Sequence, residues 1–165
     1  MNLLPAETCR DLIQFHKSHR HLTGVGDGSD YTGIRFMHIH TPWVRQAFAE
    51  VMVNLTGEIR KISDQIVYPE MSAMNEWPIG GVQRPHLDTY SNQEVAHGTT
   101  PDKPSREWTC ILYLNHNYSG GCTYIPDGQV YEPLTGSGLL FQGIYIPHGV
   151  QTVSYTHLRA HETDR

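Results

Sequence analysis

Apolar residues recur at helical spacing from Val44 to Ile66. Val44, Phe48, Val51, Met52, Leu55, Ile59, Ile62 and Ile66 keep one face apolar for more than twenty residues. Thr41-Pro42 stands just ahead, a capping residue followed by a proline in the first turn, where a missing N–H costs nothing. A face of that length has to be buried against something large. The chain beyond it is a series of short β-rich runs, over 68–77, 83–88, 108–115, 121–126, 138–142 and 149–154. Turn text such as Pro78-Ile79-Gly80-Gly81, Ser119-Gly120-Gly121, Asp127-Gly128 and Thr135-Gly136-Ser137-Gly138 separates them. A second helix is predicted over 5–18, with Cys9, Leu12, Ile13 and His16 on one face. The glycine-rich stretch 24–33 reads as a loop and 34–39 as a short strand. Helices first and strands afterwards predict an α+β domain in which helices buttress one face of a sandwich or barrel of antiparallel strands. We read 1–165 as a single domain, with 1–66 mainly a helical buttress and 67–153 the β core.

Composition narrows the partners. A net charge of −5 gives the molecule as a whole no attraction for a nucleic-acid backbone or an anionic membrane. There is no run of about 18 apolar residues that would span a bilayer. Met1-Asn2-Leu3-Leu4-Pro5 lacks the long apolar stretch of a signal peptide, so a cytoplasmic location is expected. The three cysteines, Cys9, Cys110 and Cys122, have no metal-type spacing and read as buried reduced thiols.

Of the eleven histidines, His86 and His148 have neighbours that ask for a chemical explanation. In Arg84-Pro85-His86-Leu87-Asp88 an imidazole and a carboxylate stand two residues apart on an extended segment, so they point to the same side. That is a two-ligand clip, although His-x-Asp alone is a common sequence. A further neutral imidazole would complete a face of two His and one carboxylate, which suits iron(II) with its other positions open. His148, 60 residues beyond Asp88, is the candidate. The polar segment from Thr89 to Glu107 has no apolar periodicity and reads either as a lid over the clip or as plain surface chain.

The order of the pieces resembles the Fe(II)- and 2-oxoglutarate-dependent oxygenases, and most closely their prolyl 4-hydroxylase branch. The text that carries the resemblance is Trp77-Pro78-Ile79-Gly80-Gly81, His86-Leu87-Asp88, Thr109-Cys110-Ile111-Leu112-Tyr113-Leu114-Asn115, Gly120-Gly121-Cys122-Thr123, Gly138-Leu139-Leu140-Phe141 and His148-Gly149-Val150. The resemblance implies a double-stranded β-helix, a jelly-roll or cupin-like barrel. It implies Fe(II) held by His86, Asp88 and His148, with 2-oxoglutarate and O2 as co-substrates and ascorbate as a reductant. It also implies conversion of 2-oxoglutarate to succinate and CO2 coupled to hydroxylation of an unactivated C–H bond.

For 2-oxoglutarate the resemblance implies Tyr113 and Thr123, whose hydroxyls can donate to a carboxylate; both read equally as ordinary strand residues. Trp77 and Gln83 stand where relatives often have tyrosine, which marks a divergent pocket, and Gln83 retains an amide donor. The family's basic partner for the far carboxylate lies about ten positions after the distal histidine, and Arg159 lies eleven after it. However, 154–165 does not read as the apolar closing strand of relatives and resembles foreign sequence, so Arg159 is either that partner or an accident of a non-native tail. The branch suggests a prolyl residue of a peptide or protein as substrate, with a free amino acid as the other option. Arg84 and Tyr90 are the candidate substrate contacts, Arg84 reading equally as a solvated strand-edge residue.

Two other functions fit the same residues. A cupin-like module could hold a metal without oxygenase turnover. A zinc metallohydrolase could use the same ligands, with Glu76 the nearest carboxylate to serve as base.

Overall fold

The computed structural model describes residues 1–25, 31–70, 73–90, 103 and 105–156. The α-helices among the described residues are α1, Ala6–Ser18, and α2, Pro42–Ile62, with short 3-10 turns at Arg20–Leu22 and Phe36–His38. Helix α1 buries Cys9, Leu12, Phe15 and His16; α2 buries Val44, Ala47, Val51, Leu55 and Ile59, a three- and four-residue rhythm along one stripe. Each of the branched α2 side chains so buried stabilises the fold by roughly 1.5–3 kcal/mol. Thr41 occupies the N-cap of α2 but its side chain makes no capping hydrogen bond, so the start is set by the φ of Pro42 instead. The helix stops short of Ile66, which lies exposed together with Ile62.

Among the described residues the strands form four separate groups, each antiparallel. The first joins β1 (Gly24–Val25), β2 (Thr32–Arg35) and β3 (Ala73–Glu76). The stretch expected to be only a loop therefore supplies strand residues at both its ends, and the buttress region contributes two strands. The second group has the order β4 (Gln83–His86), β10 (His148–Val150), β7 (Thr123–Tyr124) and β8 (Val130–Tyr131). The third pairs β5 (Thr109–Leu112) with β9 (Gly138–Phe141). The last pairs β6 (Tyr118–Gly120) with β11 (Val153–Thr156), so the tail segment takes part in a sheet as far as Thr156. These antiparallel pairs fit a double-stranded β-helix, but hydrogen bonding among the described residues does not close them into one continuous barrel. Most of the expected lid, 91–102 and 104, lies outside the described residues; its flanks meet where Lys103 N–H donates to the Thr89 carbonyl (2.9 Å).

The β5–β9 pair divides the molecule. Alternation along β5 and the residues after it puts Cys110, Leu112 and Leu114 on one face, and these pack with Leu140 against the cluster formed by α1, α2, Ile34, Ile39 and Met74. Thr109, Ile111 and Tyr113 belong to the opposite face. Burial pushes the Cys110 thiol up to about 11, which keeps it protonated. All three cysteines are free; Cys9 is buried and the other two are half-buried.

Candidate metal centre

Contacts from the β5–β9 pair cross to the β4–β10–β7 sheet and enclose the site. Thr109 Oγ1 donates to Asp88 Oδ2 in a short hydrogen bond. The Phe141 ring meets the His148 ring edge-on at 4.6 Å between centroids. Tyr113 Oη donates to Thr123 Oγ1 (2.8 Å), and both residues are buried.

Between these bridges lie His86, Asp88 and His148. Strands β4 and β10 are antiparallel with His148 directly opposite His86, which brings the two rings to 4.5 Å between centroids. Asp88 sits just past the end of β4, its N–H donating to the Gly143 carbonyl (3.2 Å). Its carboxylate turns back so that Oδ1 lies 3.4 Å from His86 Nε2 and Oδ2 3.7 Å from His148 Nε2. One ligand atom from each residue falls within 4.8 Å of the others.

Both imidazoles are oriented by their own chain. His86 Nδ1 is 3.1 Å from the Arg84 carbonyl and His148 Nδ1 is 3.1 Å from the Ile146 carbonyl. A carbonyl can only accept, so each Nδ1 carries the proton and each Nε2 presents a bare lone pair toward the carboxylate. Acceptor atoms packed together in this way repel one another unless a cation lies among them. The donor set, two neutral imidazoles and a carboxylate, therefore fits a divalent metal such as Fe(II). With a proton in place of a metal on the imidazoles, the upward push of burial on the Asp88 carboxyl is outweighed by His86, His148 and the Thr109 hydroxyl, which hold the group below the usual carboxylate range. Burial holds His148 below the ordinary imidazole value despite the nearby Asp88, so its lone pair is free at neutral pH.

Gln83 reaches the same centre by a bulge. Val150 is opposite Gln83 while His148 is opposite His86, so β4 spends three steps where β10 spends two. Pro85, with no N–H for the ladder, falls within that irregular step. The extra residue puts Gln83 and His86 on one side, with the Gln83 amide nitrogen 3.4 Å from His86 Nε2. Beside them Gly149 holds β10 close to its neighbours: a Cβ there would lie 2.8 Å from Tyr124 Cε1 and 2.5 Å from the Gln83 carbonyl oxygen.

The remaining sequence candidates are distributed more widely. Trp77 packs on Tyr31 at 4.8 Å between ring centroids. Arg84 is exposed on β4, and Tyr90 is half-buried just after the turn that carries Asp88. Arg159 lies outside the described residues. Glu76 is held by Arg20 (2.6 Å) at the edge of β3, an ion pair that leaves it ill suited to serve as the base of a hydrolase. Thr109 and Gly143, which touch or border Asp88, are site residues that sequence reasoning misses. Nothing local marks them, because the contact spans 21 residues in one case and is made by a missing Cβ in the other.

Two imidazoles and a carboxylate that converge beside the β5–β9 pair define a candidate site for a single divalent metal. The chain belongs to the 2OG-Fe(II) oxygenase superfamily, which it matches over residues 72–161, more than half its length. It is accordingly a 2-oxoglutarate-dependent dioxygenase, an enzyme class that works with Fe(II), 2-oxoglutarate and O2. Its fold is similar to the crystal structure of a Pseudomonas putida prolyl-4-hydroxylase, with a TM-score of 0.71 and 21% identity over 93% of this chain and 83% of the other. No protein among the curated sequences compared with it matches the chain.

Proposed function

We propose that this enzyme hydroxylates a C–H bond of a prolyl residue in a peptide or protein, or of a free amino acid, with Fe(II) held by His86, Asp88 and His148. The observation that carries the reading is the convergence of two carbonyl-oriented imidazoles and an ionised carboxylate at one point. The similarity to a prolyl-4-hydroxylase supports the substrate class. We read the whole chain as one oxygenase domain and its facing sheets as the two halves of a jelly roll.

When bound, Fe(II) with 2-oxoglutarate and O2 supplies an oxidant able to take hydrogen from an unactivated C–H bond, with succinate and CO2 released. The protein's residues position and shield. His86 and His148 keep Nδ1 protonated against backbone carbonyls and offer Nε2. Tyr113 donates to Thr123 Oγ1, which leaves the Thr123 proton to bind a co-substrate carboxylate, and the Gln83 amide adds a donor beside His86. Phe141, edge-on to the His148 ring, supplies apolar wall that excludes water. Arg159 would pair with the far carboxylate of 2-oxoglutarate, and Arg84 and Tyr90 would contact the substrate.

The test is an anaerobic titration of the Fe(II)-loaded protein with 2-oxoglutarate, reading the weak visible band formed when the keto acid chelates iron, followed by O2 and a succinate assay with proline-containing peptides and free amino acids. A band followed by succinate is the expected result. Iron binding with neither band nor succinate would leave a metal-binding module and defeat the oxygenase reading of the site.

A further inference from the structure

We propose that Thr109 is a positioning residue that makes Asp88 a one-oxygen ligand, and that Gly143 is glycine to let it do so. The inference rests on the metal reading of His86, Asp88 and His148. A carboxylate can bind a metal through one oxygen or two. Three single-atom protein ligands leave three octahedral positions, enough for a two-point keto-acid chelate and O2. A second Asp88 oxygen on the metal would remove one of those positions.

Among the described residues, the surroundings of the two oxygens differ in one respect. Each lies near an imidazole, Oδ1 by His86 and Oδ2 by His148. Only Oδ2 also receives the Thr109 hydroxyl. That donor comes from β5, which belongs to a different strand group from the one carrying both histidines, so it holds the carboxylate independently of the sheet that carries the imidazoles. A hydroxyl committed to Oδ2 lowers its availability as a ligand and points Oδ1 at the shared centre.

Gly143 provides the space. A Cβ at this position would lie 2.6 Å from Asp88 Oδ2 and closer still to Thr109 Oγ1, so any side chain there would part the two. The Gly143 carbonyl also accepts the Asp88 N–H (3.2 Å), which anchors the backbone beneath the same carboxylate. Thus one residue anchors the Asp88 main chain and leaves room for the hydroxyl that orients its side chain.

Cobalt(II), whose visible absorption reports coordination number, serves as the probe in calorimetric and spectroscopic titrations of wild type, His86→Ala, Thr109→Val and Thr109→Ser. Wild type is expected to bind Co(II) and His86→Ala to lose it; if wild type does not bind, the metal reading fails and this inference with it. With that control in place, Thr109→Val, which keeps the shape and removes the hydroxyl, is expected to weaken Co(II) binding by about 10- to 100-fold and to change the visible bands. Thr109→Ser is expected to restore both. A merely structural role would lower the melting temperature of the apo-protein without moving the bands. Unaltered affinity and bands in Thr109→Val, with His86→Ala inactive in binding, would overturn the proposal while leaving the metal site intact. Should Thr109→Val fail to fold, Gly143→Ala provides the same comparison, and wild-type bands in that variant would equally overturn it.

Discussion

Replacing Asp88 by asparagine separates the metal role of this side chain from its structural one. The asparagine side chain would have nearly the same shape and retain a carbonyl oxygen to accept from Thr109 Oγ1, but would lack the charge that holds a cation between the imidazoles. Because the folded environment favours the ionised carboxylate, the neutral variant is expected to melt somewhat lower even without metal. The informative quantity is therefore the metal-induced shift in each protein. At Mn(II) concentrations about 100 times the dissociation constant, binding stabilises the wild type by about 2.7 kcal/mol. At about 2–4 °C per kcal/mol for a chain of this size, that is a rise of roughly 5–11 °C. If asparagine weakens binding about 100-fold, the same Mn(II) concentration only equals the dissociation constant, and the gain falls to about 0.4 kcal/mol, a shift of roughly 1–2 °C. Thermal unfolding followed by circular dichroism, with and without Mn(II), measures both. A wild-type-sized shift in Asp88→Asn, repeated in His86→Ala and His148→Ala, would place the metal elsewhere and refute the reasoning.

Tyr113→Phe removes the buried donor to Thr123 at a cost of about 0.5–1.5 kcal/mol; calorimetry on the Mn(II) form should also show 2-oxoglutarate binding weakened several-fold, and unchanged affinity would detach this pair from the co-substrate. His16 lies buried in α1 with no partner for Nε2 among the described residues, and desolvation lowers its pKa despite the opposing pull of Glu76. A histidine depressed in this way contributes stability that is present above the unfolded value near 6.5 and lost as pH falls through the folded value. Metal-free wild type should accordingly lose more melting temperature between pH 7 and pH 5 than His16→Leu, and parallel curves for the two would contradict it.

Period and punctuation in the chain were enough to read the α+β order, both helices, the antiparallel strand runs and the residues of the His-x-Asp clip. Helical and strand periods are properties of neighbouring residues, and a clip two residues wide is local too. The helix predicted to run as far as Ile66 ends at Ile62, and the last apolar positions, Ile62 and Ile66, lie exposed and add no burial that would extend it. The loop expected over 24–33 lends its ends to strands because β3, some forty residues later, pairs with β2, and β2 in turn pairs with β1. His148 could be proposed from the sequence, but its position opposite His86 is a matter of strand register, which depends on which strands meet. The orientation of each imidazole by a carbonyl, the bulge that aims Gln83 at His86, and the Thr109–Gly143 support of Asp88 arise from contacts between separate segments. Residue types and local patterns set the kind of ligands and the layers that carry them. Which atoms face one another follows from the packed fold, because hydrogen-bond direction and close approach are set by packing between sheets and leave no periodic trace along the chain.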